Sequence, residues 1–94
     1  MIHYQKEYYK YIEVMGVGRN DVVASSPDSY ISYLNSVSRI TGTDITPDLL
    51  KSEEDVANIA SQISGKRADN TVRNYCSAMR KYVSFVNQIV LRGD

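Results

Sequence analysis

Apolar side chains recur along this chain at steps of three and four residues, the spacing that gathers them on one stripe of an α-helix. Tyr4, Tyr8, Tyr11, Ile12 and Met15 follow it first, and Gly16 and Gly18 then interrupt it. An amphipathic helix is therefore predicted over residues 3–15, its stripe in need of a cover, with a glycine stop. Residues 16–25 read as linker, in which Asp21, Val22, Val23 and Ala24 could add a short helical turn. The second helix is predicted over 26–41. Ser26 is placed to cap it, Pro27 has its φ pre-set for the first helical position, and Asp28 complements the positive end of the helix dipole. Tyr30, Ile31, Tyr33, Leu34, Val37 and Ile40 cover more than a narrow seam, which makes this helix central, and Gly42 supplies a left-handed stop.

Thr46, Pro47 and Asp48 repeat the start signal ahead of one apolar turn, Leu49 and Leu50. Ser52 with Asp55 forms a near-capping box with a shorter acid than usual, and Glu53 and Glu54 again suit a helix N-terminus. Val56, Ile59, Ala60 and Ile63 form an inward stripe that ends at Gly65. The last helix is the longest: Asp69, Asn70 or Thr71 caps it. Val72, Tyr75, Cys76, Met79, Tyr82, Val83, Val86, Ile89 and Val90 then line its inner side over about 30 Å. No strand alternation or internal repeat of convincing length competes with this pattern. The expected fold is all-α, a compact bundle of four to five helices. It forms one domain over residues 1–94, with an N-terminal helix and linker at 1–25 and a helical core at 26–92.

Composition sets bounds. With 94 residues and a 43% apolar fraction, the chain can build one modest core and not two. It has no run of about eighteen apolar residues. The first residues, with Lys6, Glu7 and Lys10 among tyrosines, do not read as a signal peptide, so a cytoplasmic location without membrane contact is expected. Cys76 and His3 are single, which leaves no pair for a disulfide and no Cys/His set for zinc.

The chemistry of an enzyme is equally hard to assemble. Gly16-Val17-Gly18 lacks the third glycine and preceding strand of a dinucleotide fold. Glu53, Glu54 and Asp55 are explained by the helix dipole. Cys76 lies on an apolar stripe and reads as an inert buried thiol. The terminal Arg92, Gly93 and Asp94 read as a chance tripeptide. No catalytic residue, cofactor or small-molecule substrate is expected.

Charge adds a direction. The 11 basic and 11 acidic side chains cancel. From residue 64 on, however, Lys66, Arg67, Arg73, Arg80, Lys81 and Arg92 outweigh Asp69 and Asp94 by 6 − 2 = +4, and the preceding part carries 5 − 9 = −4. At about 100° per residue, Arg73, Ser77, Arg80 and Ser84 line up on the side of the last helix away from its apolar stripe. Two guanidinium groups and two hydroxyls in a row can contact phosphates. Lys66, Arg67 and Lys81 extend the basic set. The same residues are also what a plain water-facing side needs, and both readings stay open.

Eight tyrosines with one phenylalanine and no tryptophan is unusual usage. Tyr30, Tyr33, Tyr75 and Tyr82 sit among aliphatic neighbours and read as core residues whose hydroxyls reach the surface. Tyr9 falls off the first stripe and is the best candidate for an exposed ring, and Tyr4, Tyr8 and Tyr11 offer a stripe for a protein partner.

Residues 71 to 85 carry a further signal. Thr71, Tyr75, Ser77, Ala78, Arg80 and Tyr82 match a T-x-x-x-Y-x-S-A-x-R-x-[FY] pattern, and Tyr30, Tyr33 and Leu34 fit an opening "x-Y-L" helix. Together, across about residues 26–90, they resemble the SAM-like core-binding N-terminal domain of tyrosine recombinases and phage integrases. A related look occurs in N-terminal modules of HNH-type nucleases. The resemblance implies a four-helix domain that clamps one side of a DNA duplex and leaves the chemistry to another domain. It implies that Thr71 caps the helix or touches phosphate, that Ser77 and Arg80 face the backbone, and that Tyr75, Ala78, Met79 and Tyr82 hold the fold. The catalytic half of a recombinase has no room here, so the expectation is either a piece of a larger mobile-element or phage protein or a small one that borrowed the module. Two functions follow: a non-catalytic DNA-binding module using Lys66, Arg67, Thr71, Arg73, Ser77, Arg80, Lys81 and Ser84, or a protein-interaction or homo-oligomerisation module using Tyr4, Tyr8, Tyr9 and Tyr11.

Overall fold

The computed structural model describes residues 1–15 and 27–90. The segment expected to carry the glycine stop, the linker turn and the Ser26 cap lies outside them, as does the terminal tripeptide. Among the described residues there are four α-helices: α1 (Gln5–Met15), α2 (Pro27–Thr41), α3 (Glu53–Ile63) and α4 (Asp69–Phe85). One turn of π-helix, Val86–Val90, continues α4. Among the described residues there is no strand, and the all-α bundle is as expected.

Local chemistry explains the boundaries. Gly42 and Gly65 both take positive φ, +72° and +90°, where an L side chain is strained, and they follow the ends of α2 and α3. Ser52 caps α3 by accepting from the Asp55 amide at 3.4 Å, and the Asp55 carboxylate accepts in turn from the Lys51 amide at 3.0 Å. The reciprocal box therefore closes one residue earlier than the usual pairing. The expected cap of α4 is corrected: Ala68 holds that position, extended at φ −64°, ψ 152°, with no side-chain bond to the first turn. Asn70 accepts from the amide of the adjacent Thr71 instead, and Thr71 caps nothing.

The core is assembled around α4. Its inner side buries Tyr75, Cys76, Ala78, Met79, Tyr82 and Phe85, against Tyr30, Leu34 and Val37 of α2 and Val56, Ile59 and Ile63 of α3. Phe85 collects an aromatic cluster: Tyr8, Tyr11 and Tyr82 lie with ring centres 5.7–5.9 Å away and Tyr4 at 6.4 Å. The helical core is therefore not confined to residues 26–92, because Ile2, Tyr8, Tyr11 and Ile12 belong to it. The first residues are tied down further by a bridge in which the His3 amide donates to the Ile45 carbonyl at 2.8 Å and the Ile45 amide to that of Met1 at 2.9 Å. The Tyr82 hydroxyl donates to the His3 carbonyl at 2.8 Å, so it ends inside the molecule and not at its surface. Tyr4 pays for its place in backbone strain, φ +59°, while its carbonyl accepts the first α1 bond from Tyr8.

Ile89 departs from expectation. On a continued α-helix it would face inward, but the wider π turn sets residues back and leaves it 47% exposed. Asn87 pins that turn by donating to the Lys51 and Val83 carbonyls. The radius of gyration, 12.2 Å, matches the roughly 12.4 Å of a single folded unit of this length.

Candidate functional site

α3 and α4 form an antiparallel hairpin through the short turn at residues 64–68, and this geometry decides the fate of the basic ridge. Antiparallel pairing brings the acidic N-terminus of α3 beside the C-terminal half of α4. Glu53 there meets Arg80, whose Nε donates to both carboxylate oxygens at 3.1 and 3.3 Å. Both side chains stay in water, so the pair contributes little stability. It still neutralises Arg80 and places the carboxylates of Glu54 and Asp55 on the same helical turn. Ser84 is also occupied: its hydroxyl shares a 2.8 Å hydrogen bond with Tyr11 and accepts from Gln88 at 3.1 Å.

The predicted ridge is thus cut in two. Its C-terminal half, Arg80 and Ser84, is engaged within the fold. Its N-terminal half keeps Arg73, exposed and without an ion-pair partner among the described residues, and Ser77 one turn further on, half-buried. Lys66 and Arg67 are exposed at the same end of α4, where Arg67 folds one guanidinium nitrogen onto the Lys66 carbonyl at 2.8 Å. Thr71 and Lys81 are half-buried on the flanks. Ala68 makes no side-chain bond to the first turn beside them, where the Thr71 amide is taken by Asn70 and Asp69 adds one carboxylate.

The tyrosine stripe is corrected in part: two of its rings are taken up by the fold. Tyr8 and Tyr11 are buried; the Tyr8 hydroxyl donates to the Ala78 carbonyl at 3.0 Å inside the core. Burial pushes its pKa well above the usual tyrosine value, with Tyr30 and Tyr82 adding, and burial does the same to Tyr82. Tyr9 is half-buried, and the charge of Asp28 beside it is the main cause of its raised pKa. Only Tyr4 of the four keeps a substantially exposed ring.

Other chemistry is sparse. Cys76 is buried, and that burial pushes its thiol up, opposed by Arg80 and reinforced by Glu53. Among the described residues no three His, Cys, Asp or Glu side chains come together as a metal site, and no helix is long and apolar enough to cross a membrane. Sequence periodicity could not reveal the Glu53–Arg80 or Tyr11–Ser84 contacts, which join residues 27 and 73 positions apart. No family model, curated protein or solved structure matches this chain.

Proposed function

We propose that this chain is a non-catalytic DNA-binding module that grips the duplex backbone through the first half of α4 and the turn before it. Arg73 carries the reading: an exposed guanidinium that makes no ion pair among the described residues, although Asp69 precedes it by one turn, in a helix whose start is flanked by Lys66 and Arg67. Arg and Lys side chains with helix N-terminal amides are the common donors to phosphate oxygens, and they position a protein without reading sequence. The resemblance of residues 71–82 to core-binding modules supports a phosphate contact along this helix through Thr71 and Ser77. Arg80 is a reserve contact, held by Glu53.

The test is fluorescence anisotropy with a labelled duplex at two salt concentrations. Three cationic contacts give an expected log–log salt slope of roughly −3 and weak, sequence-tolerant binding. Arg73→Glu should weaken binding about tenfold or more and flatten the slope. Arg80→Gln should change little, and Glu53→Gln, by releasing Arg80, should tighten binding. Equal affinity of the wild type and Arg73→Glu would defeat the reading.

A further inference from the structure

Among the described residues four large apolar side chains stand in water, Met1, Tyr4, Val14 and Ile89, and two of them, Val14 and Ile89, share one groove. Val14 is 80% exposed, Ile89 47% and Tyr4 48%. Glu7, Lys10, Tyr11 and Val14 occupy one stripe of α1 at helical spacing, and with Gln88 and Ile89 of the π turn they line a groove of about 360 Å³. The groove persists because Asn87 and Gln88 hold the π turn by hydrogen bonds, keeping Ile89 outward.

The rim charges indicate the occupant. Glu7 and Lys10 stand about one turn apart on the stripe, one of each sign. A second copy rotated about a two-fold axis, its α1 running antiparallel, brings each Glu7 beside the other copy's Lys10 and each Val14 toward the start of the other's α1. Such self-complementarity is what a closed two-fold dimer requires. Zero formal net charge leaves no long-range repulsion between copies. We propose that this groove is a homotypic contact through which two copies of the chain pair, α1 against α1. The contact is small, so the dimer is weak and reversible. It is independent of duplex binding, which uses the opposite end of α4.

Sedimentation velocity from micromolar to millimolar concentration tests it. E7K places two lysines on the stripe and K10E two glutamates, so each variant alone should self-associate about tenfold more weakly than the wild type. Mixed in equal amounts, the two should pair at least as well as the wild type, because every lysine then meets a glutamate. V14D should abolish pairing, with circular dichroism confirming an unchanged helical fold. Should V14D lose the fold, the mixing experiment decides alone, since Glu7 and Lys10 are exposed and make no contact the core needs. A wild type that stays monomeric at millimolar concentration, charge variants no better together than apart, or a dimer that survives V14D would each overturn the proposal.

Discussion

At the scale of single residues, Phe85 and the tyrosines around it do most to hold α1 onto the bundle. Phe85 is fully buried and meets four tyrosine rings, so Phe85→Ala should cost about 3–5 kcal/mol, read by denaturant unfolding. Tyr8→Phe keeps the ring and removes only the bond to the Ala78 carbonyl. It should cost about 1 kcal/mol, because that carbonyl lies within α4 and keeps its helical partner. The same burial sets the pH response. Tyr8 and Tyr82 hold their protons in the folded state more tightly than in the unfolded chain. Their contribution is therefore complete below pH about 10 and declines as pH rises above it, by about 1.4 kcal/mol per group per pH unit until the folded form itself ionises. Tyr8→Phe should remove one group's share of that slope in alkaline unfolding titrations. An unchanged slope would mean that the hydroxyl is not shielded.

Helix by helix, the ends of the elements are where stability and function can be separated. Ala68 caps α4 without a side-chain bond, so Ala68→Ser should raise stability by about 1 kcal/mol. Ala68→Asp should also stabilise, yet it sets a carboxylate where a phosphate is proposed to sit, so its duplex affinity should fall while its melting temperature rises. A variant in which both rise would remove the start of α4 from the binding surface. Gly42→Ala meets no neighbour within 4 Å, so its expected cost of about 1 kcal/mol is conformational alone. Elements of this kind were legible in the sequence because they depend on neighbours in the chain: the glycine stops at 42 and 65, the Ser52 cap, and the inward stripes of α2, α3 and α4. The Ala68 cap was missed because three polar residues just after it are better cap formers by type, and type does not say where the turn delivers the chain. Ile89 was placed inward because a 3.6-residue repeat presumes an α-helix to its end, and the π turn breaks that presumption.

For the whole molecule, spacing shows the tyrosines of α1 to be a stripe that needs a cover, and the bundle itself covers Tyr8 and most of Tyr11. Spacing fixes which side chains share a face; it does not fix which surface comes to meet it, and here α4 supplies that surface from about seventy residues away. The basic ridge failed halfway for the same reason, since the α3–α4 hairpin carries Glu53 back to Arg80. This long-range closure bears on which part of the chain can fold alone. Ile2, Tyr8, Tyr11 and Ile12 are all buried, and at about 2 kcal/mol each they contribute roughly 8 kcal/mol, comparable to the full stability of a small domain. Without them, Phe85 and Tyr82 keep each other but lose Tyr8 and stand open to water on that side. A chain beginning at residue 26 should therefore fail to fold cooperatively, giving little amide dispersion by NMR and no sharp thermal transition, whereas the 94-residue chain should unfold in one step. A cooperative transition in the shortened chain would show that α2, α3 and α4 suffice, and would make α1 a removable cover over a finished core.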